Sequence, residues 1–321
     1  MSRYLVGRLA ESLIVLLIMS VVIYTLIGLM PGDPIDIMVQ SDPHLTPADA
    51  ARLKALYGLD KPLLERYANW LEAALSGDFG YSRIQNQPVW TVLAPRLVNS
   101  IILMGISFVV SLLIALPIGI YSALKPYGAR DYAINFIALG GISIPVFWLA
   151  LMIIYLFSVR WGVLPASGMQ TVGVESVWDK AKYLVLPVIT LSAANAGSLT
   201  RFMRAAMMET MRQDFIRTAR AKGLGRRQVV LKHALRNALI PVVTILALSF
   251  GNLFSGALIT ETVFSYLGMG KLIYDSIIGN DYNVALIALL FATLLTLVSN
   301  LLADLCYAWL DPRISYGARQ A

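Results

Sequence analysis

The sequence predicts an all-α membrane protein of six transmembrane helices, with both termini in the cytoplasm. Three observations carry that prediction: the composition, six long apolar runs, and the placing of the basic residues between them. Of 321 residues, 58% are hydrophobic and 14% charged, with a mean hydropathy of +0.69. Soluble domains carry about 45–50% apolar and about 25% charged residues, so a soluble fold would lack polar surface here. So apolar a chain is not intrinsically disordered. Its single cysteine, Cys306, excludes a disulfide scaffold.

The apolar runs fall at 9–30, 98–124, 132–159, 183–200, 238–260 and 284–310. A helix needs roughly 20 residues to cross the hydrocarbon core. Only helices and closed barrels satisfy their own backbone in lipid, and none of these runs shows the alternation of barrel strands. The first run follows Arg3 and Arg8, as in a secretory signal. Its apolar stretch is too long, however, and Pro31-Gly32-Asp33-Pro34 stands in place of a small-residue cleavage site, so it reads as an uncleaved span. The fourth run is the shortest and contains Ser192, Asn195 and Ser198.

Charge sets the orientation. With both ends inside, the inner stretches hold 16 of the 26 Lys/Arg: Arg3, Arg8, Lys125, Arg130, ten within 201–237, Arg313 and Arg319. Apart from the long 31–97 segment, which would cross largely regardless of charge, the outer side has only Arg160, Lys180, Lys182 and Lys271. The net charge of +7 is therefore a topology signal. No nucleic-acid partner is expected, because the basic residues are divided among loops between spans.

The chain divides into residues 1–97, a first transmembrane helix with an extracytoplasmic helical segment, and 98–321, a five-helix core. In the outer segment, Thr46-Pro47-Ala48-Asp49 reads as a helix start, with a Thr cap and Pro at the first position. That helix should stop at Gly58. A second begins near Pro62, with Leu63, Leu64, Tyr67, Trp70, Leu71 and Ala74 on one face and Gly77 as its stop. Such a helix either rests on the interface and the spans or offers an outer partner a docking surface or gate.

The inner loop at 201–237 is the most informative segment. Phe202, Ala206, Met207 and Met211 recur at helical spacing, so the fourth span should continue inward as a helix. Gly223 and Gly225 break the pattern, and a second amphipathic helix leads to Pro241. The expected form is a helix–turn–helix with its tip near 214–225. It would either transmit force to a soluble partner or contact anionic membrane lipid.

No catalytic, cofactor or metal site is expected. The two histidines, His44 and His233, fall on opposite sides of the membrane, and no Cys/His cluster or nucleophile–base pair is present. Gly270-Lys271 is followed by Leu272, with Ser265 where a P-loop needs its first glycine, so the chain has no nucleotide site.

Segment 201–237 resembles the loop that inner-membrane subunits of ATP-binding-cassette importers present to their ATPases. The family pattern is Glu-Ala-Ala, two residues, Asp or Gly, then Gly. Here Arg217, Thr218 and Ala219 take the first three positions and Gly223 the last. Arg217, Thr218 and Arg236 depart from the general form in the manner of the dipeptide/oligopeptide/nickel permeases. That branch is also similar at Pro31-Gly32-Asp33-Pro34, Tyr57-Gly58-Leu59-Asp60, Gly77-Asp78-Phe79-Gly80-Tyr81-Ser82, Ser143-Ile144-Pro145-Val146-Phe147-Trp148 and Leu310-Asp311-Pro312-Arg313.

The resemblance implies a type I importer permease fold in the bacterial inner membrane. Asp214, Arg217, Thr218, Ala219, Lys222, Gly223 and Leu224 would contact the ATPase. The implied partners are a second homologous permease, two ATPase subunits and an extracytoplasmic substrate-binding protein, and the implied substrates are peptides or a related small solute. Asn195, Ser249 and Asn252 are candidates for the pathway lining, interhelical hydrogen bonding being the alternative for the asparagines. A secondary transporter or channel needing no ATPase is the rival function, and a membrane scaffold or sensor a third.

Overall fold

The structure, a computed structural model, describes residues 2–29, 46, 48, 49, 52 and 60–310, without the side chains at 2–5, 244, 247–256, 303 and 306–310. The Pro31-Gly32-Asp33-Pro34 motif, His44, the helix stop at Gly58 and the tail motif after Leu310 lie outside the described residues. All the named elements are helices. They are α1 (Ser2–Gly28), α2 (Leu63–Leu75), α3 (Val89–Leu124), α4 (Ala129–Ser143), α5 (Val146–Ile153), α6 (Val177–Thr210), α7 (Asp214–Ala221), α8 (Leu235–Val263), α9 (Met269–Ile278) and α10 (Tyr282–Leu310). A π-helical stretch, Ile154–Arg160, extends α5, and Arg226–Gln228 with a second π stretch, Val229–Ala234, leads into α8.

Among the described residues, Val6–Gly28, Val89–Leu124, Val177–Thr210 and Tyr282–Leu302 are each long and apolar enough to cross a bilayer. A further crossing results if Ala129–Ser143 and Val146–Arg160 count as one. That pair corrects the single run expected at 132–159, because its axes differ by 102°. Pro145 lacks an N–H and pushes the preceding residue out of the helical region. Ile144 is accordingly extended, with φ −78° and ψ 124°. The second run also starts earlier than its apolar stretch, at Val89.

The chain forms two compact units, one of Asn99–Leu267 with Thr296–Ala321 and the other of Ser2–Val98 with Gly268–Leu295. In the second, Ile23 and Ile27 of α1 pack with Ala285 and Leu286 of α10. Tyr67 and Trp70 of α2 meet the Tyr24 ring edge-on and tilted, and Ser20 shares a 2.7 Å hydrogen bond with the Tyr67 hydroxyl. The expected inner face of α2 holds except for Leu64, which is exposed. Gly77 ends the helix at φ +90°, with its N–H on the Ala74 carbonyl and that of Asp78 on the Ala73 carbonyl. This paired closure needs a left-handed residue. Upstream, Thr46 and Asp49 cap each other reciprocally, and the Thr46 hydroxyl holds the Asp49 carboxyl below the usual carboxylate range. Asp281 accepts hydrogen bonds from Ser82 Oγ and from the N–H groups of Arg83 and Ile84, joining the 81–88 turn to the start of α10.

In the first unit, α6 packs against its neighbours nearly backbone to backbone. A Cβ on Gly197 would lie 2.5 Å from the Ala138 carbonyl oxygen of α4, and one on Gly119 of α3 would lie 2.7 Å from Met203 Cβ. Small residues permit such close crossings without a hydrophobic driving force between helices in lipid. Tyr266, between α8 and α9, donates its hydroxyl to the Asn99 carbonyl of α3, and burial pushes that phenol up to about 12.

Candidate functional site

The loop at 201–237 forms a tip whose parts follow from local chemistry. Helix α6 runs through to Thr210, as its periodicity requires, although its buried line is Met203, Met207 and Thr210. Phe202, assigned to that line from spacing, is exposed instead. The tip is itself the helix α7, where the sequence suggested only a turn. Ile216 and Ala219, three apart, form its inner face and pack in one cluster with Ala123, Met203, Met207, Val229 and Val230. Fully burying an Ile side chain is worth about 1.5–3 kcal/mol, so Ile216 alone anchors the tip substantially.

Gly223 closes α7 at φ +77°. Its N–H bonds the Arg220 carbonyl at 3.0 Å, and the Leu224 N–H reaches the Ala219 carbonyl at 3.4 Å. These bonds form the paired C-terminal closure, with Leu224 folding back toward the same core. A Cβ at Gly223 would meet nothing within 4 Å. The residue is therefore required here for its backbone angle.

The expected site residues separate by this geometry. Asp214, Arg217, Thr218, Lys222 and Gly223 are exposed, with Arg217 and Asp214 paired at 3.3 Å and the Thr218 hydroxyl donating to the Asp214 carbonyl. Ala219 is buried and Leu224 half-buried, so those two support the tip from beneath. Sequence reasoning missed Phe215, on the same short helix, which is 41% exposed. Its signal was its position off the Ile216–Ala219 line. A hollow of about 420 Å³ flanks the tip between Leu124, Met211, Arg220 and Arg226. Of the expected pathway residues, Asn195 donates to the Leu191 carbonyl of its own helix at 2.9 Å. The side chains of Ser249 and Asn252 lie outside the described residues.

One cluster beside the tip was not anticipated. Asp131, in the first turn of α4, is 2% exposed and receives Arg204 Nε and Nη2 of α6 at 2.6 Å each. Its carboxylate also accepts the Ser122 hydroxyl, the Tyr127 N–H at 2.8 Å and Asn135 Nδ2 at 2.9 Å. Tyr127 holds φ +63°, with its ring centroid 5.9 Å from the Arg204 guanidinium carbon. In the sequence Asp131 is one acid beside Lys125 and Arg130, with nothing to mark Arg204 as its partner.

Elsewhere, Glu11 pairs with Arg8 one turn away on α1, at 3.1 Å. Among the described residues, no group of three or more His, Cys, Asp or Glu is placed to hold a metal ion.

Long apolar helices, one sharply broken pair and a basic tip docked on the helix ends define a polytopic helical membrane protein. The chain belongs to the family described as binding-protein-dependent transport system inner membrane component, matched over residues 115–316, with the N-terminal component of that family matched over 1–104. It is 38% identical over 318 residues to the oligopeptide transport system permease protein AppB of Bacillus subtilis, covering 98% of this chain and 100% of that one. It is 32% identical over 338 residues to the dipeptide transport system permease protein DppB of Escherichia coli K12, covering 98% and 99%. The glutathione transport system permease protein GsiC of Escherichia coli O1:K1 is 36% identical over 316 residues, covering 98% and 100%. Among solved structures, the inward-facing MetNI methionine ABC transporter shares the fold, with a TM-score of 0.57 and 19% identity over 68% of this chain and 96% of that one.

Proposed function

We propose that this chain is the permease subunit of an ATP-binding-cassette importer for di- or oligopeptides, built on six spans with both termini cytoplasmic. The names of the AppB and DppB relatives support the substrate class. Helix α8, 29 residues long, supplies a further span beside those already described, and the excess of inner Lys/Arg supports the orientation. Residues 1–97 are the first helix and outer segment, and 98–321 are the permease core. A second homologous permease completes the pathway, two ATPase subunits hydrolyse the ATP, and an extracytoplasmic binding protein delivers the peptide.

The observation that carries this reading is the tip. Helix α7 is anchored through Ile216 and Ala219, while Phe215, Arg217, Arg220 and Lys222 face outward. Such a surface suits a soluble partner with an acidic, partly apolar cleft, and α7 is its docking element. The test is uptake of radiolabelled tri-alanine into liposomes containing the complex assembled with and without the ATPase subunits. Uptake should require the ATPases, and Arg217→Glu/Arg220→Glu should lower ATPase co-purification without changing the chain's own yield. Peptide movement down an ion gradient by the permease pair alone would refute the reading in favour of a secondary transporter.

A further inference from the structure

A buried ion pair is a weak source of stability, because desolvation offsets most of its attraction. The pair between Asp131 and Arg204 is bidentate, with the carboxylate buried, the guanidinium half-buried and further donors on the carboxylate oxygens. We propose that Asp131 and Arg204 are positioning residues of the transport cycle: they fix α4 to the stretch of α6 that seats α7, so that displacement of the tip reaches the break at Ile144 and Pro145. This rests on the reading of α7 as the ATPase-docking element.

Three features of the geometry converge on it. Met203 and Met207 pack with Ile216 and Ala219, and Arg204, one residue further on, turns about 100° around the helix to face Asp131. One segment of α6 is thus held by an apolar contact on one face and an ionic contact on the adjacent face. Second, Asp131 lies in the first turn of α4, which ends at Ser143, so roughly 18 Å of continuous helix joins the pair to the break. Third, Tyr127 is held in the left-handed region, where a bulky residue is strained. The Asp131 carboxylate takes its N–H and the Arg204 guanidinium lies over its ring.

The cradle is also specific for its charges. Ser122, the Tyr127 N–H and Asn135 all donate, so an anion fits at 131 and a cation does not. Lysine at 204 would keep the charge but lose the planar fork that binds both oxygens. The pair is set by shape as well as by sign.

The experiment uses the whole complex with its partner permease, ATPases and binding protein in liposomes, and measures tri-alanine uptake and ATP hydrolysis on the same preparation. In Asp131→Asn and in Arg204→Lys, peptide taken up per ATP hydrolysed should fall by about tenfold, the scale of mutations that interrupt coupling between sites, while the assembled complex still hydrolyses ATP. A ratio within about twofold of the unaltered complex in either assembled variant overturns the proposal. Loss of both activities in proportion to the complex assembled also overturns it, since a purely structural pair behaves that way. Failure of both variants to assemble counts the same. If uptake by the unaltered complex is independent of the ATPases, the functional reading fails first, before any variant is compared, and the positioning role falls with it.

Discussion

Substitution of Gly223 separates two reasons for a glycine at the tip. At φ +77° with open space around its Cβ position, the residue should resist replacement only through its backbone angle. An L-residue in the left-handed region costs roughly 1–2 kcal/mol, equivalent to about a 5- to 30-fold change in a local opening equilibrium. That penalty falls on the closure formed by the Gly223 and Leu224 N–H groups. Hydrogen exchange on the chain in lipid nanodiscs reads local opening directly. In Gly223→Ala, peptides covering 214–224 should exchange faster by about that factor, whereas helix α3 should be unaffected. Gly223→Asn should be milder, because Asn tolerates the left-handed conformation. Gly223→Leu should match Ala, since no atom lies near the new side chain's first carbon. Unchanged protection in the Ala variant, or a Leu variant far worse than Ala, would refute the angle as the cause.

Other consequences are open to measurement. Gly197→Ala forces a methyl against the Ala138 carbonyl and should destabilise by about 1–3 kcal/mol, lowering the thermal midpoint of the solubilised protein, while Gly105→Ala, with nothing within 4 Å, should not. Spin labels at the exposed positions Phe136 and Tyr155 should report backbone positions roughly 16 Å apart across the 102° break, where an unbroken helix would give roughly 28 Å. Asp281→Ala would strand the Ser82 hydroxyl and two backbone N–H groups, with a cost of about 1–3 kcal/mol, and should expose the 81–88 turn to limited proteolysis.

What the sequence disclosed was chiefly local. The stops at Gly77 and Gly223 were legible because a left-handed helix closure is a property of one glycine and its immediate neighbours. The Thr46–Asp49 cap was legible for the same reason. Apolarity, by contrast, carries no direction. The run at 132–159 stays hydrophobic through Pro145, so the chain turns by 102° with little change in composition. The Asp131–Arg204 pair was hidden because its members stand 73 residues apart and meet only once α4 and α6 have packed. Gly119 and Gly197 were equally silent, since an isolated glycine in an apolar run does not name the helix that will press against it.

Those glycines have a mechanical corollary. Where Gly119 meets the Thr200 carbonyl and the Cβ of Met203, and Gly197 meets the Ala138 carbonyl, one helix comes directly against another's backbone. A side chain can change rotamer to absorb a small slide, but a backbone against a backbone has no such freedom. Helices α3, α4 and α6 are therefore coupled as a single solid piece along these crossings. Any rearrangement of the chain must be taken up at joints outside that piece, and the Ile144–Pro145 link, where the backbone leaves the helical region, is the joint nearest to it.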